Sequence, residues 1–382
     1  MQSARQLQAL VGGVADLGPS NPLFKLERAL GVTQHHDSVA GTARQEVNDD
    51  YALQLEAGRA DAYGSLAASF AAATGYSAQP FAVCALANVT LCPALEAGEP
   101  VVVLVYNSLG QAHGNAPVRL SAGFPAGVKS YAVTDSDGKP VTAQLVPPSA
   151  KDAYLRGIYG GAAVATQWLV FTAALPAAGY AAFFLTPSAT AVPHTHESAV
   201  RELGAGAGDQ TVTNGRVTLT VSAATGLLSG YADSQTGVAI NLTQTWMSYI
   251  GADGTKINGS SQSSGAYIFR PKFETPLPLQ AGAAIVRIVT GPVVSFFEST
   301  YAYVTQETRL WAGHDGAEAE WTVGPVDVSD GNSHEVITRY DGMFATDATW
   351  TTDSNCREDQ VRQRGVRANW PTYAPSEAVS AN

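Results

Sequence analysis

Charge is what this sequence has least of. Asp, Glu, Lys and Arg make up 14% of its 382 residues, against about a quarter in an ordinary globular chain. The 22 basic residues face 33 acidic ones, a net charge of −11, and no long basic run gathers them. That excludes the electrostatic footprint of a nucleic-acid binder, and no nucleic acid is expected as a partner. Long apolar runs are missing too. None approaches the roughly 18 residues of a membrane span. The longest, Pro100–Asn107 (PVVVLVYN), reads as a buried strand by its length and β-branching. The first residues, MQSARQLQALVGG, lack the basic start and continuous apolar block of a signal peptide. They read as the middle of a helix, as if the chain were a piece of something longer.

What is abundant is glycine (37), proline (20) and hydrophobic residues (45%). That composition suits a turn-rich, β-rich body with a large core in two or three domains. Residues 1–75 read as helical. Asn21-Pro22 is a start signal, Asn at the cap and Pro at the first helical position. Leu23, Leu26 and Leu30 follow at helical spacing. Thr42 and Gln45 are spaced as a capping box for a long helix whose expected buried stripe is Val47, Tyr51, Leu55, Ala62 and Leu66, ending near Thr74-Gly75. Three helices joined by short turns predict an antiparallel three-helix bundle. After Gly75, short β-branched runs alternate with Gly, Pro and Asn, and Asn214-Gly215 is a hairpin turn signal. The fold class expected is α+β multidomain, a helical bundle followed by antiparallel β-sandwich domains. The divisions are 1–75, 76–190 and 191–382, with residues 186–208 as a linker between the two β units.

Three cysteines are present. Cys84 and Cys92 bracket ALANVTL, and their close spacing suits a disulfide hairpin whose closure would stabilise by roughly 2–3 kcal/mol. Asn88-Val89-Thr90, an N-glycosylation acceptor, lies inside that loop; Asn241-Leu242-Thr243 and Asn258-Gly259-Ser260 are two more. A sequon within a cysteine loop points to an oxidising secretory route. Cys356 is left over, either buried or reactive.

The segment with most chemistry is Gln34-His35-His36-Asp37. Neighbours on a regular helix point about 100° apart, so His35 and His36 cannot both face one point from such a helix. At a helix end, one histidine can bind a metal while the other orients it; zinc accepts imidazole nitrogen and carboxylate oxygen. The alternative is a hydrogen-bonded turn between helices. His194 and His196 stand in a Pro/Ala/Gly stretch and read as solvated loop. Trp168, Trp311, Trp321, Trp350 and Trp370 could form a sugar platform, with strand core as the plainer reading.

Gly31–Gly58 resembles the middle region of α-mannosidases of glycoside hydrolase family 38, lysosomal or vacuolar type. The resemblance rests on Gln34, His35, His36, Asp37, Gly41, Thr42, Arg44, Gln45, Val47, Asp50, Tyr51, Ala52, Leu55 and Gly58. It continues through the cysteine loop, VYNSLG, SGAYIFRP, EWTVGPV, EVITRYD and TDSNCRE, and so covers nearly the whole chain. It implies that His36 is a ligand of a catalytic Zn2+, and that Asp37 and Tyr267 contact bound mannose; an ordinary strand tyrosine is the other reading of Tyr267. It places Thr351 to Asn355 near the site, with Cys356 where the family usually has Gly. It implies retaining hydrolysis of terminal α-mannosyl residues of N-glycans, in a lysosome, a vacuole or outside the cell. It puts the nucleophile and the other zinc ligands in an N-terminal barrel that this chain lacks, so the chain alone is expected to be inactive. The alternative is a non-catalytic carbohydrate-binding or remnant β-sandwich protein.

Overall fold

A computed structural model describes residues 1–12, 16–76, 81–161, 165–203, 207–253, 263–273, 275–279, 285–343, 345, 347–353 and 357–363. Asn258, Cys356 and Trp370 lie outside the described residues, as does the end of the Thr351 to Asn355 segment.

Among the described residues of the first 75 there are four helices: α1 (Gln2–Leu10), α2 (Phe24–Val32), α3 (His36–Val39) and α4 (Gln45–Thr74). α4 ends where Gly75 turns left-handed at φ 67, a stop that glycine makes at no steric cost. α1 and α2 both lie against α4, and Ala4, Leu23, Leu26 and Ala62 are buried together. The stripe expected on α4 is displaced. Its buried positions are Gly58, Ala62, Ser65 and Ser69, while Leu55 and Leu66 are half-buried and Val47 is exposed. The reason is close approach: a Cβ on Gly58 would sit 2.5 Å from Leu26 Cα, so only small residues fit where α2 meets α4. The start of α2 also differs from expectation. Asn21 precedes it by a turn, accepting from the Leu23 N–H on its side chain at 2.9 Å and from the Phe24 N–H on its carbonyl at 2.9 Å.

The cysteine loop closes as expected. Cys84 and Cys92 are disulfide-bonded with Cα atoms 5.0 Å apart. Arg156, on α6 (Ala150–Ile158), ties the loop down by donating to the Thr90 carbonyl and to Glu96 at 2.8 and 2.9 Å. Glu96 ends α5 (Pro93–Glu96), and that contact holds its carboxyl below the usual range.

The rest is mainly antiparallel sheet, with strands numbered along the chain. One sheet runs β1 (Val101–Asn107), β6 (Gly179–Ser188), β3 (Ser130–Asp135). A second runs β2 (His113–Gly123), β5 (Thr166–Leu175), β4 (Ala143–Val146), β7 (Thr195–Glu197). A third runs β17 (Glu318–Val323), β16 (Val304–Trp311), β15 (Val294–Tyr301), β14 (Ile285–Thr290), β8 (Ala199–Glu202). A fourth runs β13 (Leu277–Pro278), β12 (Val238–Ile250), β11 (Leu228–Asp233), β10 (Val217–Val221), β9 (Gln210–Thr213), with β18 (His334–Gly342) also paired to β12. β19 (Thr349–Asp353) and β20 (Asp359–Gln363) form a ribbon.

Strand alternation stacks these sheets. Leu169, Phe171 and Ala173 of β5 join Phe183 and Leu185 of β6 in one core. Trp168 and Val170 point the other way, into a second core with Val289, Phe296 and Trp311 of the third sheet. Ile288, Phe297 and Leu310, on the opposite face of that sheet, meet Val217, Leu219 and Val221 of the fourth. A strand buried on both faces carries a continuous apolar run rather than alternation, which is why WLVF and VSFF read as they do. Gln144 pins the second layer to the third: its Oε1 accepts from the Val293 and Val294 N–H groups at 3.0 and 2.9 Å, and its Nε2 donates to the Val294 carbonyl at 3.0 Å.

Residues 186–208 are not a plain linker. Within them β7 pairs in parallel with β4, and β8 pairs antiparallel with β14. The chain crosses from one layer to the next by adding an edge strand to each, which gives its backbone groups ladder partners. His194 and His196 are exposed there. Trp168 and Trp311 are core residues, whereas Trp321 is half-exposed. The turn at Asn214-Gly215 is as expected, with Gly215 at φ 91 between β9 and β10.

Candidate functional site

α2 ends at Val32, and the chain turns through Thr33–His35 before the single turn of α3. His35 stands outside that turn with extended backbone (φ −50, ψ 134). The geometric objection to two histidines facing one point holds for a regular helix, and this backbone avoids it. The two rings sit edge to face with centroids 4.7 Å apart. His35 Nε2 lies 3.6 Å from Asp37 Oδ2, and His36 Nε2 lies 3.7 Å from the same oxygen.

Gly41 closes α3. At φ 72 it lets the Thr42 N–H return to the Asp37 carbonyl at 2.8 Å while its own N–H reaches Ser38 at 3.2 Å, the paired closure of a Schellman end. The same reversal carries the Thr42 hydroxyl to Asp37 Oδ1 at 2.6 Å. Thr42 therefore does not cap α4. The residue before that helix is Arg44, with no side-chain cap bond, and the Thr42 hydroxyl, two residues ahead of it, is committed to the Asp37 carboxylate.

Asp37 is the centre of the group. The Thr42 hydroxyl holds its carboxyl below the ordinary 3.8; His36 and His35 add to this electrostatically, and the Tyr267 side chain acts in the same direction. Tyr267 is 78% exposed and comes from a turn bridged by Gly265 and Ile268, between β12 and β13. The structure thus brings His36, Asp37 and Tyr267 together from the helical and β regions. His35, Tyr51 and Thr42 complete the cluster: the Tyr51 hydroxyl is 3.2 Å from His35 Nδ1. Sequence reasoning assigned Tyr51 to the buried stripe and Thr42 to a cap. Both stand in the run that carries the resemblance, which was the one signal that could have moved them to the site.

The ligand atoms of His35, His36 and Asp37 lie within 4.8 Å of one another, and no other such group of three occurs among the described residues. Imidazole nitrogen and carboxylate oxygen are zinc donors. The group is open, with the His36 side chain 87% exposed.

Residues 212–374 match the family described as Glycosyl hydrolases family 38 C-terminal domain. The whole chain aligns with the Lysosomal alpha-mannosidase of Homo sapiens, 33% identical over 386 residues. The chain belongs to glycoside hydrolase family 38. Other family 38 relatives tell the same story: the Lysosomal alpha-mannosidase of Felis catus is 32% identical over 385 residues, covering 100% of this chain, and the Alpha-mannosidase of Canavalia ensiformis is 32% identical over 371 residues, covering 91%. This family 38 chain spans 36% of the length of each of these three relatives.

Asn88 is exposed at the tip of the cysteine loop, and Asn241 is exposed on β12. No helix among the described residues is long and apolar enough to cross a membrane.

Proposed function

We propose that this chain forms the helical and β-sheet portion of a zinc-dependent retaining α-mannosidase that hydrolyses terminal α-mannosyl residues of N-glycans in a lysosomal or vacuolar compartment. The observation that carries this is the convergence of His36, Asp37 and Tyr267 from separate parts of the fold. In this reading residues 1–75 are the middle helical domain, a three-helix bundle. Residues 76–190 and 191–382 are sandwich domains.

The donor set fits zinc in part. His36 would hold the ion, and His35 and Asp37 are near enough to share its neighbourhood. When bound, zinc supplies Lewis-acid contact to sugar hydroxyls and orients the ring. The residues present do the rest of the binding. Asp37, kept anionic by Thr42, accepts hydrogen bonds from mannose hydroxyls. Tyr267 offers a hydroxyl and an exposed ring face beside it. The Tyr51 hydroxyl holds the His35 ring at Nδ1, and His35 in turn steadies Asp37. Retaining chemistry needs two carboxylic groups about 5–5.5 Å apart; by family resemblance the attacking one belongs to a preceding barrel, together with the remaining zinc ligands. Exposure of Asn88 and Asn241 supports their reading as glycan acceptors.

The test uses the native gene product and its His36→Ala variant. Bound zinc and hydrolysis of an aryl α-mannoside, both lost in the variant, are the expected results. A native product that neither holds zinc nor cleaves the mannoside would favour the non-catalytic alternative.

A further inference from the structure

Between the second and third sheets lies a cavity of ≈ 20 Å³, remote in sequence from the histidine cluster. Its polar lining is Arg119, Arg287, Arg309, Asp152 and Glu307; the remaining wall is Val, Phe and Trp side chains of both layers. Two of its arginines carry buried donors without an acceptor: the Nε–H groups of Arg287 and Arg309 have no hydrogen-bond partner among the described residues. Arg309 is 7% exposed. A buried donor left unmet is rare and costly, and marks a place where something else accepts.

We propose that this cavity is a binding site for one small monovalent anion, of which chloride is the representative. The unmet groups are donors only, because guanidinium has no acceptor. One oxygen of each wall carboxylate is already engaged. Asp152 Oδ2 accepts from Trp168 Nε1 at 3.0 Å and from the Ser149 N–H at 2.9 Å, and Glu307 Oε2 accepts from Arg309 at 3.0 Å with Arg119 at 3.7 Å. One water also fits such a volume; a halide only accepts, which matches the two unmet donors. Three guanidiniums and two carboxylates line the wall. Glu298 pairs with Arg287 at 3.1 Å. Glu318 and Glu320 approach Arg309 from a half-exposed side, where solvent screens them. Arg119 is held in place by stacking on Trp168 at 3.8 Å. An anion here would join β2 and β5 of one layer to β14 and β16 of the next.

The experiment uses the native protein carrying this chain. Crystals grown in sodium bromide should show an anomalous peak between the Nε atoms of Arg287 and Arg309. Thermal unfolding in sodium chloride, compared with sodium gluconate at equal ionic strength, should rise by about 2 °C for each tenfold excess of chloride over its dissociation constant. Val146→Ile adds a methyl group to the cavity wall and removes no charge. It should fold and lose the chloride dependence. An ordered water with no anomalous signal overturns the proposal, as does a chloride dependence that survives Val146→Ile.

Discussion

The Thr42 hydroxyl donates to Asp37 Oδ1 at 2.6 Å across the left-handed turn at Gly41. One glycine thereby decides what a threonine does: it takes the hydroxyl from helix capping and puts it on the carboxylate beside two histidines. Thr42→Val removes the donor, and the Asp37 carboxyl should move up toward 3.8. An Asp with a depressed folded pKa contributes stability above its unfolded pKa and loses it as pH falls through the folded value. The variant should lose that contribution at neutral pH. Carbon-13 NMR titration of Asp37 reads the shift directly, and Thr42→Ser should restore the native value.

Gly58 and Gly64 lie on the same helix and should respond in opposite directions. A Cβ at Gly58 meets the Leu26 backbone at 2.5 Å, whereas one at Gly64 meets nothing within 4 Å. Gly58→Ala is expected to cost about 1–3 kcal/mol through forced separation of α2 from α4. Gly64→Ala should stabilise by about 0.5–1 kcal/mol through helix propensity. Denaturant melts of the two variants decide the matter; equal effects would contradict the packing.

Gln144 is fully buried and replaces missing backbone partners at the layer junction. Gln144→Leu leaves the Val293 and Val294 N–H groups unmet. A loss of about 2–4 kcal/mol is expected, measured by urea unfolding.

Burial pushes the Glu298 carboxyl above its ordinary 4.5; Arg287 opposes the shift, and Glu307 and Asp152 add to it. The folded state therefore holds this proton more tightly than the unfolded chain does. Stability from this group is fully present below pH 4.5 and declines as pH rises through the raised value. Glu298→Gln should flatten that decline in a pH series of thermal melts. A series unchanged by the variant would show that Glu298 is not its source.

His36 separates a site from a structural cap. Its side chain is 87% exposed, so His36→Ala should change unfolding free energy by less than about 0.5 kcal/mol. A larger loss would mean that the histidine serves the turn rather than a ligand.

Much of this protein was determined locally. Gly75 ends α4 because only a residue free of a Cβ enters φ 67 without strain. Asn214-Gly215 makes the β9–β10 turn for the same reason, and Cys84 and Cys92 are near enough in sequence to meet. Runs such as WLVF declare strands by their side-chain shapes alone. The histidine pair and its aspartate were visible too, because they are adjacent in the chain.

Other features depended on neighbours remote in sequence. Which face of α4 is buried was decided by α2 arriving at Gly58, and helical periodicity does not say how near a partner will come. The layer order followed from which sheet each strand face met, and Thr195–Glu197 and Ala199–Glu202 became strands because two sheet edges stood ready to pair. Tyr267 reached Asp37 across more than two hundred residues, a distance that no local pattern encodes. Gln144 and the arginines of the interlayer cavity look like ordinary polar residues in sequence. Tertiary packing buried them, and burial made their hydrogen bonds consequential.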